Sequence, residues 1–419
     1  MAERLVIRGG KRLSGTVTVS AAKNAVLPIM AATLLSKEKS KLLDIPYLAD
    51  VENLCSIFES IGVKTGHEQG DLLIDPSKLA TTEAIDERAS EMRASCLLMG
   101  PLLGRFGRVT LALPGGCAIG ARPIDLHIKG LTAMGTSFEK QSGYIIGNCQ
   151  GRLQGARIYL DFPSVGATEN LMMAAALAEG QTIIENAAEE PEIVDLAICL
   201  NNMGAKVRGA GTNIIKIDGV DELHGVIHSV IPDRIEAGTY MALAAMTKSD
   251  LTVKNVIVDH LKPVVAKLRE MGVNIEESED GVRVIGPEEL LPADIKTLPY
   301  PGFPTDMQAQ IMAVLTLANG TSLVTETVFE NRFMHVDEFH RMGAEILVEG
   351  HSAMIRGVKE LHGASVRATD LRAGAALVIA ALAADGVSEI GALYHIDRGY
   401  SKLVEKLQKL GADIKRINV

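Results

Sequence analysis

The strongest constraint on the fold of this chain is an internal repeat of about 70 residues. An apolar helical pattern that ends in Met-Gly, Ile-Gly or Leu-Gly, followed by a strand pattern, occurs six times. The glycines that end these patterns are Gly62, Gly135, Gly204, Gly272, Gly343 and Gly411. They lie 68 to 73 residues apart, which is too regular for unrelated elements. The sequence therefore predicts six copies of one structural unit.

Each copy shows the same order of local patterns. An Ala-rich segment such as GTYMALAAMT comes first and predicts a helix that is buried on all sides. A β-rich segment such as GTSLVTETV, an amphipathic helix such as VVAKLREMG and a hairpin such as VNIEESEDGVRVIG follow. The Gly after the last Met or Leu is typical of a helix C′ position, because Gly adopts the left-handed conformation without steric cost. The unit is predicted to be helix, strand, helix, hairpin.

The sixth copy ends one hairpin strand early, at GADIKRINV, and residues 5–24 match the missing stretch. We therefore expect the N-terminal strands to complete the last unit. Six units divide into two lobes of three, one over residues 23–230 and the other over residues 1–22 and 231–419. The predicted fold is α/β with three repeats per lobe, and ligands favour clefts between such lobes.

Composition narrows the functional classes. No apolar run of the 419 residues reaches the roughly 18 to 20 that span a bilayer, so a soluble protein without a membrane partner is expected. Five widely spaced cysteines without a CxxC pair indicate free thiols, and the N-terminus lacks signal-peptide features, which together indicate the cytoplasm. A net charge of −10 and the absence of Trp argue against a nucleic-acid partner. The ten histidines match no metal motif, and the oligomeric state stays open.

Charged residues recur at equivalent positions of the repeats. Those predicted at the starts of the buried helices are Lys23, Arg93, Arg234, Asp306 and Arg372. Those predicted at the starts of the second helices are Arg122, Arg332 and Arg398. A cation at a helix N-terminus opposes the dipole unless an anion binds, so the set predicts an anion site supplied by both lobes. Taken alone, each residue is equally consistent with a surface side chain or a local cap.

A glycine-rich loop over residues 113–126 surrounds Cys117 and places Arg122 five residues later. It is predicted to be a mobile lid. Cys55, Cys96 and Cys199 fall within apolar helical patterns, where a thiol is usually a small hydrophobe, and Cys149 has no distinctive context. Cys117, in contrast, has a flexible context with a nearby cation. A reactive thiol is favoured over an ordinary loop thiol.

Six motifs carry a resemblance to a known family. They are SAAKN (20–24), GGCAIGARP (115–123), FPTDMQAQ (303–310), TETVFENRF (325–333), TDLRAG (369–374) and YHIDRGY (394–400). With them the chain resembles, essentially end to end, the enolpyruvyl transferase family, and within it the transferases that act on UDP-N-acetylglucosamine. The resemblance implies two lobes, each an inside-out α/β barrel of three units, which agrees with the repeat.

The resemblance also implies an activity and its substrates. The carboxyvinyl group of phosphoenolpyruvate would pass to the 3-hydroxyl of UDP-N-acetylglucosamine through a tetrahedral ketal, with release of phosphate. This is the first committed step of peptidoglycan precursor synthesis. No cofactor and no metal are implied. Such an addition needs an acid that protonates C3 of the enol and a base that accepts the hydroxyl proton.

Residue by residue, the resemblance implies a role for each matching position. The implied catalytic residues are Cys117 as the acid, Asp306 as the base, Lys23 and Arg398. Phosphoenolpyruvate would be bound by Lys23, Asn24, Arg122, Arg332, Arg372 and Arg398. UDP-N-acetylglucosamine would be contacted by Arg93, Arg122, Pro123, Ile124, Asp125, Leu126, Ser164, Val165, Gly166, Asp306 and Val328. Supporting roles are implied for Asp370, a second carboxylate near the reacting centre, and Arg234.

The sequence differs from the family pattern at one position, and several alternative roles and functions are consistent with it. Phe162 replaces a lysine of some members, so uridine contacts there would be apolar or main-chain. Cys117 has a second possible role as a nucleophile that adds to C2 of phosphoenolpyruvate. The sibling transferase that acts on shikimate 3-phosphate shares the fold but does not use a loop cysteine. A repeat scaffold that binds acidic partners is the non-enzymatic alternative.

Overall fold

The structure is a computed structural model that describes residues 3–85, 93–112, 124–141 and 143–418, with only the main chain at Arg93. Cys117, Arg122 and Pro123 lie outside the described residues. The chain forms two compact units. We call the described residues of 21–231 the N-terminal unit, and residues 3–20 with 232–418 the C-terminal unit.

Short strands and helices alternate along the whole chain. The strands are β1 (Glu3–Arg8), β2 (Ser14–Thr18), β3 (Ser40–Leu43), β4 (Lys64–Glu68), β5 (Asp71–Asp75), β6 (Glu83–Ala84), β7 (Arg108–Ala112), β8 (Thr136–Gln141), β9 (Tyr144–Cys149), β10 (Arg157–Tyr159), β11 (Gln181–Glu185), β12 (Lys206–Arg208), β13 (Ile214–Asp218), β14 (Ile227–Ser229), β15 (Asp250–Lys254), β16 (Asn274–Ser278), β17 (Gly281–Ile285), β18 (Ile295–Lys296), β19 (Thr321–Thr325), β20 (Glu345–Glu349), β21 (Ser352–Arg356), β22 (Ser365–Arg367), β23 (Val387–Gly391) and β24 (Asp413–Asn418). The α-helices are α1 (Lys23–Ala32), α2 (Ala49–Ser60), α3 (Met99–Phe106), α4 (Asp125–Ala133), α5 (Val165–Ala176), α6 (Pro191–Asn202), α7 (Arg234–Met246), α8 (Lys262–Glu270), α9 (Gln308–Leu315), α10 (Val336–Arg341), α11 (Leu371–Ala383), α12 (Tyr394–Asp397) and α13 (Leu403–Lys409). Short 3-10 turns include Arg93–Leu98 before α3 and Thr305–Met307 before α9.

The strands form four-stranded sheets that share one topology. In the N-terminal unit the orders are β14-β3-β5-β4, β6-β7-β9-β8 and β10-β11-β13-β12. In the C-terminal unit they are β2-β15-β17-β16, β18-β19-β21-β20 and β22-β23-β1-β24. The first strand of each sheet pairs in parallel with the second, and the other pairs are antiparallel. Because β1 lies between β23 and β24, the N-terminal strand occupies the hairpin position that the sixth repeat lacks.

The apolar helices form the centre of each unit. In the C-terminal unit α7, α9 and α11 contact one another, and every residue of α7 is buried. In the N-terminal unit α3 packs on α5, and α1 packs on the turn Arg93–Leu98. Each unit has its own apolar core, and the sheets cover these helices on the outside. The predicted inside-out α/β barrel of three repeats is therefore confirmed. Within the described ranges, no helix is both long and apolar enough to cross a bilayer.

The second helix of each repeat ends as the sequence predicts. The six repeat glycines have φ between 91° and 104°, the left-handed region in which a side chain would be strained. The predicted starts of two of these helices are wrong. Arg332 lies four residues before α10, and Arg398 directly follows the short helix α12. The chain makes turns at both places, so regular helical hydrogen bonding begins only later.

A second set of glycines sets the distance between sheet and helix. Gly219, Gly286 and Gly357 each directly follow the second strand of a hairpin, and Gly9 follows β1, which occupies the equivalent position in the sixth sheet. A Cβ atom at any of them would overlap a carbonyl oxygen at or near the end of the buried helix, that of Ala318 in the case of Gly357. The Gly357 N–H donates to the Gly320 carbonyl at 2.9 Å. The sheet can therefore approach the helix end only where the side chain is absent.

Replacing Gly357 with Ala should destabilise the protein by about 3 kcal/mol or more, because the backbone of the helix end would have to move. Gly66→Ala is the matched control, since a Cβ at that exposed strand position meets no atom within 4 Å. Its free energy of unfolding should be unchanged or raised by up to about 1 kcal/mol. Urea denaturation measures both, and equal stabilities of the two variants would contradict the expectation.

Candidate active site

One carboxylate in the C-terminal unit binds two arginines from distant parts of the sequence. Asp306 lies in the 3-10 turn before α9. Arg332 Nη2 donates to its Oδ1 at 2.8 Å, and Arg372 Nη2 donates to its Oδ2 at 2.9 Å. The arginine side chains are 4% and 3% exposed, whereas that of Asp306 is 24% exposed. Three predicted site residues therefore meet at one partly accessible carboxylate.

The two guanidinium groups control the charge state of Asp306. Desolvation would raise the pKa of its carboxyl, but the charges and hydrogen bonds of Arg372 and Arg332 outweigh that effect and hold the pKa well below its usual range. Burial alone would lower the pKa of Arg372, and the Asp306 carboxylate raises it above its usual value. Asp306 and Arg372 are therefore both charged near neutral pH.

A buried hydrogen-bond network contacts the Arg372 guanidinium group through Tyr400. Arg372 Nη1 donates to the Tyr400 hydroxyl at 3.4 Å, and this hydroxyl lies 2.9 Å from Oγ1 of Thr239 on α7. Gln310 Nε2 on α9 donates to Thr239 at 3.2 Å and to Tyr400 at 3.4 Å. These contacts explain why otherwise apolar helices carry Thr and Gln at buried positions. Burial raises the pKa of Tyr400, so its hydroxyl stays neutral.

Carboxylates cap the two buried helices that carry an arginine in their first turn, α7 and α11. Asp370 Oδ1 accepts from two main-chain N–H groups of the first turn of α11, at 2.8 and 3.1 Å. Asp233 Oδ1 accepts in the same way at α7, at 2.8 and 3.0 Å. Each of these helix dipoles therefore already has a carboxylate at its N-terminus, so the dipole alone does not require a bound anion beside Arg372 or Arg234. Arg234 lies 5.8 Å from the Tyr300 ring centroid.

Two histidines lie near Asp370. Burial lowers the pKa of His335 to about 4. The negative charge of Asp370 opposes this shift, and the positive charge of Arg332 adds to it. Within the described part of the chain, His335 Nε2 has no hydrogen-bond partner. Burial also lowers the pKa of His395, where Asp370 again opposes the shift and Arg398 adds to it. No cluster of three or more His, Cys, Asp or Glu among the described residues is placed to hold a metal ion.

Lys23 is the first residue of α1 in the N-terminal unit, and Asn24 follows it. Lys23 Nζ lies 2.7 Å from Oδ2 of Asp50 in the first turn of α2. The Asp50 side chain is 2% exposed and that of Lys23 is 12% exposed. The buried carboxylate thus orients the lysine while leaving part of it accessible. Sequence reasoning did not identify this partner.

The starts of α4 and α5 lie side by side in the same unit. Asp125 begins α4 between buried Ile124 and partly buried Leu126, and Ser164 caps α5, which begins Val165-Gly166. Gly166 faces His127 of α4 so closely that an added Cβ would lie 3.3 Å from the imidazole Cε1. His127 Nδ1 in turn lies 2.8 Å from Asn170 Nδ2 on α5. The structure therefore brings together two segments that the sequence assigned to one ligand.

Comparison with known proteins assigns the family. The family model of EPSP synthase (3-phosphoshikimate 1-carboxyvinyltransferase) matches residues 7–407. The chain belongs to this family of enolpyruvyl transferases. It is 58% identical over 416 residues to UDP-N-acetylglucosamine 1-carboxyvinyltransferase 1 of Halalkalibacterium halodurans, covering 99% of this chain and 94% of that protein. It is 54% identical to the Staphylococcus aureus protein of the same name, covering 99% and 100%.

Solved structures of enolpyruvyl transferases share the fold. NikO of Streptomyces tendae, an enolpyruvyl transferase, superposes with a TM-score of 0.91 at 26% identity and covers 100% of this chain and 99% of its own. EPSP synthase of Acinetobacter baumannii superposes with a TM-score of 0.76 at 18% identity and covers 100% of both chains. The second similarity concerns the fold alone.

The site contains further residues that sequence reasoning did not single out. Thr305, Glu326 and Tyr400 lie inside the motifs that identify the enolpyruvyl transferase, and motif membership was the signal that could have found them. Tyr400 contacts Arg372, and Thr305 contacts Arg332. Val328, predicted to contact substrate, donates its N–H to Glu326 Oε1 at 2.8 Å.

The depressed pKa of His335 should make stability depend on pH. The folded state binds the proton less readily than the unfolded state, whose pKa is 6.5, so stability falls as pH falls from 6.5 toward 4. Between pH 8 and pH 5 the wild type should lose about 2 kcal/mol more than His335→Gln. Urea denaturation at both pH values measures this, and parallel pH dependences would contradict the assignment.

Proposed function

We propose that this enolpyruvyl transferase moves the carboxyvinyl group of phosphoenolpyruvate to the 3-hydroxyl of UDP-N-acetylglucosamine and releases phosphate. The proposal rests on the cluster of Asp306 with Arg332 and Arg372, which combines a proton acceptor with two cations. Relatives at 54% and 58% identity that bear the name of this activity support the choice of acceptor. The product is the first committed precursor of peptidoglycan.

Phosphoenolpyruvate needs several cations because its phosphate and carboxylate groups are both ionised. We assign its binding to Lys23, Asn24, Arg122, Arg332, Arg372 and Arg398. Guanidinium groups match phosphate and carboxylate through paired N–H donors, and they stabilise the phosphate that leaves. Arg332 and Arg372 are held by neighbouring side chains, so little ordering is required when the anion binds.

Asp306 is assigned as the base that accepts the proton of the sugar hydroxyl. In the described structure both of its oxygens are engaged by guanidinium groups, which makes the carboxylate a weak base. An anion that binds Arg332 and Arg372 competes with the carboxylate for their N–H groups. Its arrival raises the pKa of Asp306 and so strengthens the base once phosphoenolpyruvate is present.

Cys117 is assigned as the acid that protonates C3 of phosphoenolpyruvate, an assignment that rests on its sequence motif. The hydroxyl oxygen then bonds to C2 and gives the tetrahedral ketal. Loss of the C3 proton and of phosphate restores the double bond. Lys23 and Arg398 complete the proposed catalytic set, and Asp370 supports it by capping α11, the helix that carries Arg372.

UDP-N-acetylglucosamine is assigned to two neighbouring segments and to single residues elsewhere. The segments are Ile124-Asp125-Leu126 and Ser164-Val165-Gly166, at the starts of α4 and α5. The single residues are Arg93, Arg122, Pro123, Asp306 and Val328. Free N–H groups at helix starts suit the diphosphate. Phe162 is 42% exposed beside the second segment and offers an apolar surface to uridine.

The four described cysteines are free thiols, which suits the reducing cytoplasm, where we propose that the enzyme acts.

The sibling activity on shikimate 3-phosphate is the second candidate, because the matching family model bears that name. An assay of phosphate release from phosphoenolpyruvate, with each acceptor in turn, distinguishes the two candidate activities. We expect phosphate release to depend on UDP-N-acetylglucosamine and not on shikimate 3-phosphate, and the reverse result would exclude the proposal.

Two substitutions test the acid. Cys117→Ala should lower kcat by about 10²- to 10⁴-fold because the proton donor is lost, whereas Cys117→Asp should keep turnover because a carboxyl group can donate. Cys117→Asp should also lose inactivation by thiol-directed epoxides. Cys149→Ala, at a partly accessible cysteine among the described residues, is the control and should behave as wild type. An inactive Cys117→Asp that still binds both substrates would favour obligatory covalent catalysis.

Asp306→Asn tests the base. The amide keeps the shape and one oxygen acceptor for a guanidinium group but cannot accept the hydroxyl proton, so kcat should fall by about 10²- to 10⁴-fold. Steady-state phosphate release measures the effect. Asp259→Asn removes an exposed carboxylate that pairs only locally with Lys262 and should leave kcat unchanged. Near-normal turnover of Asp306→Asn would remove Asp306 from the base role.

A further inference from the structure

A buried carboxylate without a catalytic role in this scheme is linked to the cluster of Asp306, Arg332 and Arg372 through Thr305. Glu326 directly follows β19 and is 1% exposed. Its carboxylate accepts four hydrogen bonds. Oε1 accepts from Thr297 Oγ1 at 2.7 Å and from the main-chain N–H groups of Val328 and Phe329 at 2.8 and 3.2 Å, and Oε2 accepts from Thr305 Oγ1 at 2.8 Å.

Thr305 connects this carboxylate to Arg332. Its hydroxyl donates to Glu326 Oε2, and its oxygen accepts from Arg332 Nη1 at 2.8 Å. The other terminal nitrogen, Nη2, binds Asp306. A threonine hydroxyl has one proton to donate and lone pairs to accept, so it can join a carboxylate to a guanidinium group in this order.

Glu326 also holds Phe329, whose ring contacts the face of the Arg332 guanidinium group. The Phe329 ring centroid lies 5.2 Å from Arg332 Cζ, and the main-chain N–H of Phe329 is held by Glu326. Arg332 is thus restrained at one edge through Thr305 and at one face through Phe329. Both restraints originate from one buried carboxylate. A buried charge is costly unless donors satisfy it, which argues for a specific role.

We propose that Glu326 is a positioning residue of this site, which orients Arg332 through Thr305 and the turn 326–329 through main-chain N–H groups. The inference rests on the proposed function, in which Arg332 binds phosphoenolpyruvate and Val328 contacts the nucleotide sugar. Glu326 itself touches neither substrate in this scheme. Its effect reaches the reaction through the direction of the Arg332 N–H groups and through their contact with Asp306.

The test compares Thr305→Val, which removes the connecting hydroxyl, with Thr305→Ser, which keeps it. Thr305→Val should raise KM for phosphoenolpyruvate about tenfold or more, because a hydrogen bond to a charged group is lost, and Thr305→Ser should restore most of the loss. Thr316→Val is the matched control. Thr316 is fully buried and directly follows α9, and among the described residues its hydroxyl bonds only the Ala313 carbonyl of that helix.

The pH profile of kcat/KM gives a second readout that a purely structural role would not change. A misdirected Arg332 stabilises the Asp306 carboxylate less, so the pKa of the base rises and the acid limb moves to higher pH in Thr305→Val. Glu326→Gln should move it in the same direction. Its amide retains one oxygen acceptor, but either Thr305 or the donors on the Oε1 side must face an N–H₂ group.

Each outcome separates this inference from the proposed function. A folded Thr305→Val with wild-type KM and pH profile overturns the positioning role while leaving the activity intact. The positioning role is also overturned if Thr305→Ser is as impaired as Thr305→Val, or if Thr316→Val shows the same defects. A wild type without phosphate release dependent on UDP-N-acetylglucosamine overturns the proposed function, and the inference with it.

Discussion

The burial of helices that are apolar on all sides is the constraint on which the rest of this structure depends. The helix α7 has no polar face that could meet water, so it must be covered by other elements around its whole circumference. Three helices of this kind contact one another in the C-terminal unit, and three sheets surround them. The third sheet there is complete only because β1 pairs with β23 and β24.

The same arrangement explains where polar chemistry can be placed. Side chains in the middle of the buried helices have no access to solvent, so Thr239 and Gln310 hydrogen-bond to each other and to Tyr400. Functional groups lie instead at the helix starts, where unpaired N–H groups and caps are found. Asp306 and Arg372 both lie there, on neighbouring helices, and this is why a contact between residues 66 positions apart is short.

Electrostatics then distinguishes the acidic residues of the site by their partners. Asp306 faces two guanidinium groups and is partly exposed, which suits a group that meets substrate. Asp370 and Asp233 cap helices, and Glu326 is enclosed by four donors. Residue type alone does not separate these four carboxylates. Their surroundings favour the proposed catalytic role for Asp306 and structural roles for the other three.

The sequence by itself determined the repeat, the order of elements, the helices buried on all sides and the left-handed glycines, because each follows from local periodicity or from the conformation of one residue. Its motifs also indicated the enolpyruvyl transferase family. Only the tertiary structure decided which side chains meet. The chain of contacts from Glu326 through Thr305 to Arg332 joins residues 21 and 27 positions apart, and the contact of Arg372 with Asp306 joins residues 66 positions apart. Hydrogen bonds tolerate errors of only a few tenths of an ångström, and no local pattern specifies positions that closely.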